Sequence, residues 1–180
     1  MEKTRVDGMK TGFTLIELMV TVSIVGILLA VGVPNFLAFL QNNRMVAQTN
    51  DVVTMLGYAR SEAIKRNLPV TVCSSANNTS CAGATSWETG FIAFVDNAGN
   101  GAVGAGEQVL QVRQAIEGGN TLRSNNLTFT RYLPNGFSNS PGGTLRLCDA
   151  RGTASGRAIV VSLLGRVRTD TLAAGGLACP

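Results

Sequence analysis

The chain has 180 residues, with 15 lysines and arginines against 11 aspartates and glutamates and a net charge of +4. It has no histidine, which excludes Ser-His-Asp and Cys-His catalysis, histidine-ligated zinc and histidine pH switches. The length suits one domain with an appendage and is too short for two full domains and a linker.

The N-terminal segment is first polar and then strongly apolar. Residues 1–12 are polar, an apolar run begins at Phe13, and no charge occurs between Leu18 and Val33. A run of about 20 apolar residues is long enough to cross a bilayer as a helix. The excess of lysine and arginine before this run predicts a cytoplasmic N-terminus and an exported remainder.

Three interpretations compete for this segment. It could be a plain membrane anchor, or a secretory signal peptide that is cut at the small residues Ala30-Val31-Gly32. Neither has a use for Glu17, because a carboxylate costs about 2.5 kcal/mol or more near the bilayer centre and usually has a partner. Glu17 therefore favours the third interpretation, an apolar helix that is kept and whose acid meets a cation.

The sequence GFTLIE at residues 12–17 resembles the motif of type IV pilins and type II secretion pseudopilins. The resemblance implies that a prepilin peptidase cuts after Gly12 and that Phe13 becomes the methylated N-terminus. It implies that Glu17 pairs with the free amine of a neighbouring subunit's first residue. It also implies a single-pass protein of the inner membrane with a periplasmic head, which later joins an extracellular pilus made of major and minor pilins.

Residues 42–66 form a second, amphipathic helical stretch. Pro34 precedes it inside the helical run, where we expect a kink or local melting, and Pro69 ends the helix. Apolar residues recur at helical spacing, at Val52, Leu56, Ala59 and Ala63. The opposite, polar face is expected to carry Arg44, Asp51, Arg60, Glu62 and Arg66. The sequence YARSEA at residues 58–63 resembles the signature of the GspH/FimT branch of minor pilins and pseudopilins.

Short β-like runs separated by Asn, Gly and Ser clusters follow Pro69. They cover residues 70–73, 91–95, 108–113, 127–132, 144–147, 158–163 and 166–169. We predict an α+β fold in which a long N-terminal α-helix, as in pilins, packs against an antiparallel β-sheet head. The expected segments are a leader at 1–12, a membrane and assembly half of the helix at 13–40, an amphipathic half at 41–68 and the head at 69–180.

The four cysteines, Cys73, Cys81, Cys148 and Cys179, allow three pairings. An exported location favours disulfides, whereas zinc is disfavoured because no C-x-x-C spacing is present. We expect one disulfide between Cys73 and Cys81, which closes a short loop, and one between Cys148 and Cys179, which pins the C-terminus.

Residues 96–107 have a partial likeness to a calcium-binding loop. Asp96, Asn100, Gly101 and Glu107 fall at its first, fifth, sixth and twelfth places. Ala98 and Gly104 stand at the third and ninth places and lack ligand side chains, so a flexible hairpin loop is the better interpretation. The serine and glycine patterns of hydrolases and phosphate loops are incomplete. We therefore expect no metal, no cofactor and no catalysis.

Arginine dominates the charge of the C-terminal region. Between residues 113 and 168 there are eight arginines against Glu117 and Asp149, a local net charge of +6. Arg166 and Arg168 would share one face of a strand, and the planar guanidinium matches phosphate. Gly165 before them permits a tight turn.

The sequence GRVR at residues 165–168 resembles the GRxR motif of the FimT branch, whose members bind DNA during natural transformation. The residues expected to contact double-stranded DNA are Gly165, Arg166, Arg168, Arg146 and Arg157. Such binding would use phosphates, with strong salt dependence and no sequence preference. The alternative is that these arginines are a solvated face or pair with Asp149 and Asp170.

These features predict a minor pilin that joins the tip or priming complex of a type IV pilus and captures DNA for natural transformation. The alternative is a type II secretion pseudopilin with a purely structural role. A third hypothesis, an enzyme secreted after signal cleavage, lacks any catalytic constellation to support it.

Overall fold

The computed structural model describes residues 12–140 and 142–179. Apart from Gly12, the expected leader at 1–12 lies outside the described residues. The described chain divides between Leu40 and Gln41 into two units. The helix of the described residues, α1 (Leu15–Arg66), supplies the first unit and continues into the second.

The first unit is helical and apolar. By length and composition, α1 is able to cross a membrane, and its most apolar window is entirely exposed. The helix is unbroken through Pro34, so the local melting expected there is not seen. Pro34 has no backbone N–H, so one carbonyl in the preceding turn loses its helical hydrogen bond, and the helix continues without it.

The second unit contains eight strands in its described residues. They are β1 (Val70–Ser74), β2 (Phe91–Val95), β3 (Val109–Arg113), β4 (Thr121–Arg123), β5 (Phe129–Tyr132), β6 (Gly143–Cys148), β7 (Arg157–Val161) and β8 (Val167–Thr171). They form two antiparallel four-stranded sheets, a first sheet of order β3-β2-β1-β5 and a second sheet of order β4-β6-β7-β8. The α+β prediction is confirmed, and the head has two sheets rather than one.

The main core lies between the C-terminal part of α1 and both sheets. The predicted apolar stripe is confirmed, because Val52, Leu56, Ala59 and Ala63 are all at most 2% exposed. These side chains share one cluster with Val72 and Ala93 of the first sheet and with Leu147 and Ile159 of the second. Fully buried alanines at two helix positions allow the helix backbone to lie close to the strands.

Glu62 was expected on the polar face of α1, and this expectation was wrong. Its side chain is only 8% exposed. Its carboxylate accepts a hydrogen bond from Arg66 Nε at 2.5 Å and lies 3.6 Å from Lys65 Nζ. The two cations one turn further along the helix therefore compensate the burial of this acid.

Two disulfides fix the loops of the head in the expected pairing. Cys73 is joined to Cys81, and Cys148 to Cys179, with Cα–Cα distances of 5.6 and 5.9 Å. The second closes a sequence separation of 31 residues. It holds the C-terminal segment in a small cluster with Ala158 and Leu172.

Candidate functional site

The start of α1 is capped by Thr14. The Glu17 backbone N–H donates a hydrogen bond to Thr14 Oγ1 at 3.3 Å, and Glu17 lies in the first helical turn. Threonine followed three residues later by glutamate is the pattern of a capping box. An acid in this turn is also favoured by the helix dipole. Sequence reasoning missed the cap, although the T-x-x-E spacing at residues 14–17 is its signal.

The bond between Gly12 and Phe13 lies outside regular secondary structure. Residues 12–14 precede the helix, and the Phe13 side chain is 85% exposed. A Cβ added at Gly12 would meet no atom within 4 Å. The expected processing site is therefore open to another protein, and Glu17 lies one helical turn beyond it.

The second sheet has an inner face toward α1 and an outer face on the opposite side, part of which the C-terminal segment covers. Directly opposed residues of antiparallel strands share a face. Ile159 is in the core, so its neighbours on β7, Ala158 and Val160, point outward. Arg168 is opposite Val160, and Arg146 is opposite Ala158. Both arginines therefore lie on the outer face.

Arg166 and Arg168 form the most open pair of cations on this face. Both residues are exposed. Together with Val160, Ser162 and Leu164 they line a shallow cavity of about 230 Å³. Among the described residues, neither guanidinium makes a hydrogen bond or an ion pair. The two side chains are thus available to an anion from outside the chain. We call them the arginine pair.

Gly165 sets the direction in which the arginine pair leaves the turn between β7 and β8. Its N–H donates to the Ser162 carbonyl at 2.9 Å, and its φ is +73°. A Cβ at this position would lie 2.1 Å from the Gly136 carbonyl oxygen. The predicted tight turn and close backbone approach are both present. Only glycine satisfies the backbone angle and the contact together.

Arg60 of the YARSEA sequence fastens the same turn from the helix. Its Nη2 donates to the Leu164 carbonyl at 3.3 Å. Its Nε also lies close to Gly165 and to Gly136, because a Cβ added at either glycine would be 3.3 Å from it. Sequence reasoning placed Arg60 only on the polar face of α1, because a partner 104 residues away leaves no local signal.

Arg146 and Arg157 do not join the arginine pair. Arg146 lies on the same face, but its guanidinium donates to the Ala178 carbonyl at 3.0 Å and to Asn125 Oδ1. It therefore holds the C-terminal segment. Arg157 alternates with Ala158 and lies on the inner face, where it lines a groove with Thr49 and other residues. Arg146 and Arg157 were both expected to contact DNA, and neither lies beside the arginine pair.

The sequence left open that the arginines of residues 113–168 pair with Asp149 and Asp170, and one of them does so. Arg151 Nη2 lies 2.6 Å from Asp149 Oδ2. Burial alone would raise the pKa of the Asp149 carboxyl. The hydrogen bonds from Arg151 and its charge lower the pKa by more than burial raises it, so the pKa lies below its usual value. Asp170 makes no ion pair within the described residues.

The loop that partly resembles a calcium site is a hairpin connection between β2 and β3. The Asp96 carboxylate is fully buried. It accepts hydrogen bonds from Thr71 Oγ1 at 2.7 Å, Arg131 Nε at 2.9 Å and the Gly101 N–H at 3.1 Å. Glu107 accepts from two backbone amides of the same loop. These oxygens bind the chain itself, and the loop joins two strands that pair antiparallel, as a hairpin connection does.

A long apolar helix that begins with a capped T-x-x-E turn and ends in the core of a two-sheet head defines a pilin-type subunit. Comparison with known families agrees with this class. The chain belongs to the GspH family, described as type II transport protein GspH, which its residues 48–165 match. Residues 8–33 match the prokaryotic N-terminal methylation motif. The protein is therefore a minor pilin or pseudopilin, a structural subunit and not an enzyme.

Solved structures of FimU, a type IV minor pilin of Pseudomonas aeruginosa PAO1, have the same fold. One crystal form superposes with a TM-score of 0.58 over 78% of this chain and 96% of FimU. A second gives 0.55 over 74% and 95%. The sequences are 18% identical in both cases, so the likeness concerns the fold alone.

A segment of this chain also resembles PilA, the type IV major pilin protein of Myxococcus xanthus DK1622. The two are 45% identical over 51 residues. That segment is 28% of this chain and 23% of PilA. The likeness therefore covers less than a quarter of the length of PilA.

Proposed function

We propose that this chain is made as a prepilin, cut after Gly12 by a prepilin peptidase and methylated at Phe13. It then sits in the inner membrane with its head in the periplasm. From there it enters the tip or priming complex of a type IV pilus together with major and minor pilins. The observation that carries this proposal is an apolar helix whose large hydrophobic side chains are exposed from its first turn to Leu40.

A helix that is apolar on all sides is stable only when lipid or other apolar side chains surround it. Between Leu15 and Leu40 the helix contains one charged side chain, the carboxylate of Glu17. In a bilayer or a bundle of like helices, this charge would lie in an apolar surrounding. Cleavage after Gly12 creates an ammonium group at Phe13. A neighbouring subunit's ammonium would compensate Glu17, because a charge in a medium of low dielectric constant requires a partner.

Two measurements test this proposal in piliated cells. The mass of the N-terminal peptide should show methylated Phe13 as the first residue, whereas a first residue at position 33 would indicate a cleaved signal peptide. Glu17→Leu should abolish incorporation into filaments. Ser23→Leu is the matched control, because it also replaces an exposed polar side chain of the same helix. Normal incorporation of the Glu17→Leu protein would refute the proposed pairing.

The alternative assembly is a type II secretion pseudopilus, in which the chain has a purely structural role. The proposed arrangement predicts the processed chain in filaments sheared from the cell surface. The alternative predicts that it stays in the envelope fraction and that its deletion blocks protein secretion. Quantitative mass spectrometry of the two fractions separates these assemblies.

We further infer that the arginine pair binds duplex DNA. The supporting observation is two exposed guanidiniums on one face, side by side and without protein partners among the described residues. Arginine presents a planar fork that fits phosphate oxygens. The binding would be independent of base sequence and sensitive to salt, since phosphate contacts release condensed counterions.

The salt dependence of binding gives a quantitative test with the full chain in detergent micelles and a fluorescent duplex. Each phosphate contact contributes about −0.9 to the slope of log K against log salt. The double variant Arg166→Gln, Arg168→Gln should therefore reduce the slope by about 1.8. Arg123→Gln is the control, because Arg123 is exposed but already pairs with Glu88 at 2.9 Å. Absence of binding at low salt, or an unchanged slope in the double variant, would refute the inference.

A further inference from the structure

The tip of the β7–β8 turn carries two leucines that are exposed to solvent although they are apolar. Leu163 and Leu164 are 61% and 60% exposed. Within the second unit these are the most exposed large apolar side chains of the described residues. Ile64 and Phe137, which are 53% and 48% exposed, follow them. The head therefore ends in a projecting apolar tip beside the arginine pair.

The exposure of the tip is fixed by several backbone contacts. The Leu163 carbonyl accepts a hydrogen bond from the Ser138 N–H at 2.9 Å. The Leu164 carbonyl accepts one from Arg60 Nη2 at 3.3 Å. Gly165 packs directly against the Gly136 carbonyl. The backbone of the turn is thus held by α1 and by the loop after β5, with both leucine side chains exposed.

The charged side chains closest to the tip are arginines, and the acid on the same sheet face, Asp170, lies two residues beyond Arg168 on β8. Arg166 and Arg168 lie on one side and share a cavity lining with Leu164. Arg60 contacts the turn, and Glu62, two residues further along α1, is buried and paired with Arg66. An exposed apolar tip whose closest charged side chains are arginines fits a polyanion that has an apolar interior.

We propose that the tip inserts Leu163 and Leu164 into the minor groove of duplex DNA as an apolar wedge, while the arginine pair holds the adjacent phosphates. This inference rests on the proposed DNA binding and adds a second function to the same hairpin. Apolar side chains that enter the minor groove part the stacked base pairs and kink the duplex by roughly 20–90°. The protein would therefore bend the DNA that it captures.

The wedge and the phosphate contacts make different contributions, so variants can separate them. Leu163→Ser with Leu164→Ser should remove the bend and weaken binding by about tenfold. It should leave the salt slope unchanged, because the number of phosphate contacts is the same. Val46→Ser is the matched control, since Val46 is a 47% exposed apolar residue of α1 beside Arg157, away from the tip.

The test uses the full chain in detergent micelles and a duplex labelled at both ends for energy transfer. Fluorescence of 2-aminopurine within the duplex reports unstacking by the wild-type protein and needs no variant. Trp87 is the single tryptophan and is fully buried, so its emission shows that each variant is folded.

The outcomes distinguish this inference from the one on which it rests. Unstacking and bending by the wild-type protein, lost in the leucine variant and kept in Val46→Ser, support the wedge. Binding that depends on the arginine pair without bending or unstacking overturns the wedge alone, and the tip would then be a protein contact. If the wild-type protein binds no DNA at low salt, both inferences fail.

Discussion

Breaking the buried ion pair between Asp96 and Arg131 by removing one partner is expected to destabilise the head strongly. Asp96 is fully buried, Arg131 is 8% exposed, and their charged atoms are 2.9 Å apart. Asp96→Asn keeps the volume of the side chain but leaves the guanidinium uncompensated. Loss of one partner of a buried pair costs about 3 kcal/mol or more. For a domain of this size, that corresponds to a fall in Tm of roughly 10 °C.

Thermal unfolding of the full chain in detergent, followed by Trp87 emission, measures this effect. The Trp87 indole N–H donates to the Leu127 carbonyl at 2.9 Å inside the core, so its emission changes when the head unfolds. Arg123→Gln serves as the control, since it removes an ion pair near the surface and should change stability by less than about 1 kcal/mol. A loss in Asp96→Asn no larger than in the control would refute the reasoning.

The stability difference between the wild type and Asp96→Asn is expected to depend on pH. Burial alone would raise the pKa of Asp96, but hydrogen bonds from Thr71 and Arg131 and the Arg131 charge lower it below its usual value. A lowered pKa stabilises the folded state at pH values above the unfolded pKa. This contribution disappears as the pH falls through the folded pKa. The gap in stability between wild type and Asp96→Asn should therefore narrow below about pH 4, and a constant gap down to pH 3 would contradict the assignment.

Three further variants test the packing of the head. Gly165→Ala should lower Tm and weaken DNA binding, because its Cβ would approach the Gly136 carbonyl to 2.1 Å; the thermal scan and the salt titration measure both, and an unchanged Tm would contradict the strained turn. Cys148→Ser with Cys179→Ser should destabilise the head by about 2–5 kcal/mol and make the C-terminal segment sensitive to carboxypeptidase. Ala59→Leu should cost about 1–3 kcal/mol by overpacking a fully buried position, seen as a lower Tm.

Local patterns predicted the helix and most strands because their signals lie within a few residues. The helical spacing from Val52 to Ala63 marks the buried stripe, and the β-branched residues Ile159, Val160 and Val161 mark β7. The strand β4 (Thr121–Arg123) was missed, since three residues are too few to show alternation. It exists because Leu122 pairs with Leu147 of β6, a contact that only the tertiary fold provides.

The roles of the individual arginines could not be predicted, because their partners are distant in the sequence. Arg131 meets Asp96 from 35 residues away, and Arg146 meets the Ala178 carbonyl from 32. A local count of charge treats these side chains and the arginine pair alike. Their number indicated an anion site, whereas only the structure separates guanidiniums that hold the fold from those that remain open.

The β7–β8 turn shows most directly how the fold assigns function to local sequence. Residues 158–163 were predicted as one strand, which would have buried Leu163 or placed it at a strand end. The strand ends at Val161 because the Ser162 carbonyl accepts from the Gly165 N–H and reverses the chain. The same reversal exposes the leucines and aims Arg166 outward. Removing two leucines from water would stabilise the isolated head, so a braced turn that keeps them exposed is more easily explained by a ligand than by folding.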